Sequence, residues 1–174
     1  MKSQMRAYFD RLEAAWRDRE GSLPRAPWSE EADPTIYVGE VDEDEWVEWR
    51  PQVRGNPQEF GEIEEEFQVQ IHSSVKAYFG SYYFCLIGGR LREWQLQLEP
   101  VLPGIELRDF FSQLRGYVSV HGGRLAHVPI GLEAESGGLV VVANDTGRVL
   151  LEDDAGGLTV VSESLERLIS DLEV

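Results

Sequence analysis

The order of apolar residues predicts an α+β fold: an antiparallel or mixed β-sheet with helices packed on one face and at its ends. Three observations carry this. Apolar residues recur at helical spacings of three and four at both ends of the chain and at points between. Short runs of β-branched and aromatic residues, bounded by turn formers, separate these stretches. Beyond residue 125 strand-like runs follow one another before a closing helix. The resulting order is helix, hairpin, two helices, hairpin, helix, several strands, helix.

Composition sets the frame. The chain has 174 residues, 16 Lys+Arg against 32 Asp+Glu, a formal charge of −16 and one cysteine. That length suits one domain spanning 1–174: a helix over 1–20, a connecting loop over 21–34 and a core over 35–174. Cys85 alone cannot build a disulfide framework, which favours a reducing, cytoplasmic setting. No apolar stretch approaches the roughly 20 residues a membrane span requires, and the charged first residues do not resemble a signal peptide. The strong negative charge repels nucleic acid and anionic lipid and favours a basic partner.

The elements follow in order. Met5, Tyr8, Phe9, Leu12 and Trp16 form one stripe, predicting a helix over 2–19 that stops before Gly21. GSLPRAPWSEEADP, with three prolines, reads as a surface connection pinned by Trp28. TIYVG and EWVEWR read as strands joined by the charged turn EVDEDE. In NPQEFGEIEEEF, Asn56 suits a cap, Pro57 the first helical position and Glu59 the reciprocal position, with Phe60, Ile63 and Phe67 as the buried stripe. IHSSVKAYFG predicts about two helical turns ending at Gly80. SYYFCLIGGRLREWQLQLEP reads as two strands joined by a Gly88-Gly89 turn, with Trp94, Leu96 and Leu98 on one face. Leu107, Phe110, Phe111, Leu114 and Val118 predict a helix ending near His121. AHVPIGLEA, LVVVAND, RVLLED and LTVVS read as strands, with a turn at Asn144 to Gly147. Leu165, Leu168, Ile169 and Leu172 predict the final helix.

Signs of catalysis are sparse. His72, His121 and His127 are scattered, no spacing suits a metal site, and neither GGR nor ESGG fits a phosphate-binding loop. Cys85 lies in an aromatic run and reads as an inert core thiol. His72 stands where an imidazole can cap a helix. Acid–base chemistry at His72 would need a second oriented group, and hydrolysis by carboxylates such as Glu64 with His72 would need a cleft and a perturbed pKa, neither of which the sequence displays. The expectation is a binding protein without catalytic residues, cofactor or metal.

The local anomaly is acidic. Between Glu40 and Glu66 lie 11 acidic residues and two arginines. A solvated face would explain an ordinary acidic run, but Trp46 and Trp49 stand within this one, and indole rings attract cations by about 0.5–2 kcal/mol. The candidate partner-binding residues are therefore Asp42, Glu43, Asp44, Glu45, Glu48, Glu62, Glu65 and Glu66, with Trp46 and Trp49 as anchors. Strand alternation places Trp46 opposite Val47 and Trp49, so only one indole easily faces outward.

EWVEWRPQVRGNPQEFGEIEEEF followed by IHSSVKAYFGSYYFCLIGG resembles the Syd family of SecY-interacting proteins, within the SUKH superfamily of α+β binding domains. The similarity continues through an N-x-[ST]-G-x-V-x-x-E turn, matched by Asn144, Thr146, Gly147, Val149 and Glu152, and through SLERLISDL, over roughly 35–172. It implies a cytoplasmic protein, peripheral on the inner membrane, whose acidic surface binds basic cytosolic loops of the SecY translocon without catalysis. The same superfamily implies an alternative, an immunity protein that covers the basic surface of a cognate toxin.

Overall fold

The computed structural model describes residues 1–56 and 58–174. Its centre is a six-stranded antiparallel sheet of β6 (Ile87–Leu91), β7 (Trp94–Leu98), β8 (His127–Glu133), β9 (Leu139–Ala143), β10 (Val149–Glu152) and β11 (Leu158–Ser162), in spatial order β11-β10-β9-β8-β7-β6. Each strand neighbours the next in sequence, so the sheet is a meander built from tight turns. The longer excursion between β7 and β8 carries α4 (Arg108–Val120). Every strand pairing among the described residues is antiparallel.

Helix α1 (Lys2–Glu20) buries Met5, Tyr8, Phe9 and Leu12 and ends at Gly21, whose left-handed conformation, φ 69°, closes the last turn. It packs beside α5 (Leu165–Asp171), which is capped by the Ser164 hydroxyl and buries Leu165, Leu168 and Ile169. Tyr8 joins α1 to the sheet: its hydroxyl donates to the Gly88 carbonyl at 2.7 Å and accepts the Gly88 N–H at 2.9 Å. Arg11 holds the end of α5 through the carbonyls of Ile169, Ser170 and Leu172.

Three expectations change. The connection over 21–34 contributes a strand, β1 (Arg25–Pro27), which pairs with β3 (Trp46–Trp49); β3 pairs in turn with β2 (Tyr37–Val38). Leu23, Ala26 and Ala32, rather than Trp28, tie this segment to the interior; Trp28 remains exposed. Second, α2 (Gly61–Phe67) starts later than the Asn56 cap predicts, with Phe60 at its N-cap position. Pro57 lies outside the described residues. Phe60 is buried against Phe79 and Phe110, so packing draws the chain inward before the helix begins.

Third, Gly88 and Gly89 lie within β6, and the hairpin turns at Arg92-Glu93, with Arg92 at φ 55°. The glycines serve close approach: a Cβ on Gly89 would meet the backbone carbonyl of Glu173, whose N–H and C=O pair with Arg90 along the free edge of β6. The predicted face of β7 is otherwise as read, with Leu96 and Leu98 buried and Trp94 partly so. On α4, Tyr117 is buried and Phe111 only partly. Two short strands, β4 (Gln52–Val53) and β5 (Tyr82–Tyr83), flank α2 and α3 (Ser73–Phe79) in sequence and pair with each other.

Candidate functional site

The acidic turn between β2 and β3 is organised by its own first carboxylate. Asp42 Oδ1 accepts the N–H groups of Asp44 at 3.0 Å and Trp46 at 2.8 Å, while Oδ2 pairs with the Arg25 guanidinium. The Trp46 amide, then Arg25, hold the Asp42 carboxyl below the usual carboxylate range. Glu45 takes a left-handed conformation at φ 62°, and its carbonyl accepts the Trp28 N–H. Asp42 is thus committed to the fold of the turn, whereas Glu43, Asp44 and Glu45 are exposed.

Strand alternation decides the tryptophans. Trp46 is 41% exposed; Trp49 is 0% exposed, with its ring 6.2 Å from Phe9 in an edge contact. The expectation that Trp49 anchors a partner is therefore corrected: it is a core residue on the Val47 face, and its indole N–H has no hydrogen-bond partner among the described residues. On the outer face, Arg25 lies opposite Glu48 and Pro27 opposite Trp46, with Val38 on the far side of Glu48.

That outer face forms one wall of an open groove of about 660 Å³. Trp16 and Glu20 of α1 supply the other, and Glu40 closes the rim. Two indoles and three carboxylates, Glu20, Glu40 and Glu48, therefore converge on one space, with Arg25 the cation among the lining residues. Sequence reasoning missed Trp16 and Glu20, and counted Glu40 in the acidic run without naming it as a site residue. Trp16 continues the buried stripe of α1 at the i, i+4 interval from Leu12, so its period reads as core; it lies at the end of that stripe and is only partly covered.

Three of the four acids of α2 are paired within the fold. Glu66 grips Arg115 of α4 with both oxygens, at 2.9 and 2.7 Å, and Glu62 approaches the same guanidinium at 3.5 Å. Glu64 pairs with Lys76 at 2.5 Å and accepts the Ile71 N–H at 2.8 Å. Glu65 is exposed and has no ion pair among the described residues. None of these acids lines the groove.

His72 caps α3, its Nδ1 accepting the Ser74 N–H at 3.2 Å. The Asn144 side chain brackets it: Oδ1 accepts the His72 N–H and Nδ2 donates to the Gln70 carbonyl, both at 2.7 Å. Gly147, at φ 74°, leaves room for the imidazole, which a Cβ there would strike. Glu152, the last residue of the same motif, is buried and accepts the Tyr117 hydroxyl at 2.7 Å and His121 Nε2 at 2.5 Å. Burial pushes the Glu152 carboxyl up, but those two donors outweigh it and leave it below the usual range. The Glu152 contact, then the Tyr117 carbonyl, raise His121. The motif thus fastens the helices to the sheet. Burial pushes the thiol of Cys85 up to about 12. Among the described residues no cluster of three His, Cys, Asp or Glu is placed to hold a metal ion, and no helix is long and apolar enough to cross a membrane.

Residues 2–103 match the family model described as Syd protein (SUKH-2), so the family pattern includes α1 and the hairpin. Two curated relatives, each named Protein Syd, are similar. The one from Alteromonas mediterranea is 26% identical over 119 residues, 67% of this chain and 65% of the relative. The one from Psychromonas ingrahamii is 28% identical over 82 residues, 47% of this chain and 44% of the relative. The chain thus spans less than two thirds of the length of either relative. The family match runs through the groove-lining elements and covers more than half of the sequence, and on that ground the chain belongs to the Syd protein (SUKH-2) family.

Proposed function

We propose that the chain is a non-enzymatic binding protein that receives lysine and arginine side chains of a basic partner in the groove between α1 and the acidic hairpin. The carrying observation is the convergence of Trp16 and Trp46 with Glu20, Glu40 and Glu48. Carboxylates draw a cation in, and an indole face holds it once it is partly desolvated. Glu43, Asp44 and Glu45 extend the negative field outside the groove and speed encounter more than they hold the complex. The partner that family resemblance supports is the set of basic cytosolic loops of SecY, and cytosolic loops of membrane proteins are rich in Lys and Arg. On this reading the protein works in the cytoplasm, is peripheral on the inner membrane, and uses no cofactor, metal or nucleic acid.

The test is titration with a synthetic SecY loop peptide at rising salt. Glu40→Gln, Glu43→Gln, Asp44→Asn and Glu48→Gln are combined, with Asp42 kept because it holds the turn. At about 0.2–1 kcal/mol per exposed pair, these changes together weaken binding by about 1–4 kcal/mol and flatten its salt dependence. Trp46→Ala weakens it further without altering the salt slope. Unchanged affinity in the charge variant overturns the reading. Capture from host lysate of one toxin, retained at high salt, moves the assignment to an immunity protein.

A further inference from the structure

On the opposite side of α4 from Arg115's ion pairs the molecule carries a second, chemically different surface. Gln97, Leu132, Leu139, Glu152 and Leu158 stand directly opposite one another on successive strands from β7 to β11, so their side chains share one face of the sheet. Glu152 is capped by Tyr117 and His121, but the three leucines are 37% to 45% exposed. With α4 as a wall they line two adjoining hollows, of about 530 and 570 Å³, which share Val120, His121 and Leu139 and so form one trough. Among the described residues lining it there is no lysine or arginine, whereas Glu99 stands at one end and Asp153 and Asp154 at the other.

Gly116 is the second observation. It sits inside α4 and lines the trough, where glycine costs about 1 kcal/mol relative to alanine. Nothing in the fold requires it: its φ is not positive, and an added Cβ would meet no atom within 4 Å. A bare helix wall is useful to something that approaches from outside.

We propose that this trough is a docking site for a short extended segment of a partner protein, apolar along most of its length and ending in lysine or arginine. Strand spacing makes the row from β7 to β11 about 19 Å long, and an extended chain at about 3.3 Å per residue fills it with about six residues. The apolar side chains lie between Gly116 and the leucines. The basic end meets Asp154, because two carboxylates stand at that end against one at the other, and Asp153 is already turned to the N–H groups of Ala155 and Gly157. A second copy of this chain is the poorer occupant, since each copy carries a charge of −16. The site does not depend on the hairpin groove.

The probe is a fluorescent hexapeptide, Leu-Val-Leu-Ile-Lys-Lys, titrated against the full chain bearing the hairpin charge variant, so that the groove near Trp46 contributes little. Amide chemical shifts are expected to move around Gly116, Leu132 and Leu139. Affinity is expected to fall at least tenfold when serines replace the four apolar residues or aspartates replace the lysines. Gly116→Leu is expected to keep or raise the melting temperature while weakening the peptide at least tenfold, a combination that a purely structural glycine does not give. Leu139→Thr, which suits a strand, repeats the test from the opposite wall. The proposal is overturned if no peptide binds, if the serine peptide binds equally, if the shifts centre on the hairpin, or if Gly116→Leu leaves affinity unchanged. It is also overturned if sedimentation shows dimers that Gly116→Leu abolishes, because the occupant is then a second copy.

Discussion

Glu133 offers the most quantitative test of how the sheet is fastened. It ends β8 and turns back over its own loop: Oε2 accepts the Ser136 hydroxyl at 2.6 Å and the Ser136 N–H at 2.7 Å, and Oε1 accepts the Gln95 N–H at 3.1 Å. The Ser136 hydroxyl and amide, then Gln95, lower its pKa from 4.5 to about 2. At about 1.4 kcal/mol per pH unit that difference corresponds to about 3 kcal/mol, and the exposed turn around it screens this to about 2 kcal/mol. The folded pKa lies below the unfolded one, so the contribution is complete above about pH 5 and is lost as pH falls through 4.5 toward 2. Glu133→Gln keeps an oxygen acceptor but removes the charge. Urea denaturation is expected to show the variant about 2 kcal/mol less stable at pH 7, or about 4–8 °C lower in Tm for a chain of this size. At pH 3 about half of that gap is expected to remain. A gap that stays constant from pH 7 to pH 3, or no gap at pH 7, refutes the assignment. The turn also joins Leu132 to Leu139, so the variant should loosen the trough while leaving peptide binding at the hairpin intact.

Two further changes probe the frame. Asn144→Ala removes the bonds to His72 and Gln70, at about 1 kcal/mol each, and is expected to destabilise by about 2 kcal/mol in thermal denaturation; a loss under 0.5 kcal/mol counts against the bracket. Gly89→Ala drives a methyl into the Glu173 carbonyl and is expected to cost about 1–3 kcal/mol, but far less in a chain truncated after Leu172; equal costs in both backgrounds refute the close-approach explanation.

Periodicity made the principal helices legible. The stripe from Met5 to Leu12 and the set Leu165, Leu168, Ile169 are buried as their spacing requires, because a helix can hide such residues only on one side. The strands after residue 125 were equally legible, since β-branched runs between glycine turns have few other ways to pack. Local rules failed where distant residues intervened. Asn56 has the chemistry of a cap, but Phe60 follows the ring of Phe79 into the core and α2 starts after it. Gly88-Gly89 has the chemistry of a turn, yet the demand for bare backbone at Gly89 comes from Glu173, about 80 residues further along the sequence. The segment Arg25–Pro27 is too short and too rich in proline around it to announce a strand; pairing with β3 makes it one.

By itself the sequence determined the sign of the surface, the fold class and that only one of two indoles easily faces outward, because charge, apolar period and strand alternation are local properties of the chain; burial against Phe9 then decided that Trp49 is the inner one. Which carboxylates stand together was decided only by the tertiary structure. It spent Asp42 on its own turn, Glu62 and Glu66 on Arg115, and Glu64 on Lys76, and it brought Trp16 and Glu20 from α1 against Trp46 and Glu48. A carboxylate's freedom to meet a partner depends on which cation folding places beside it, and that neighbour is set by the path of the chain through space.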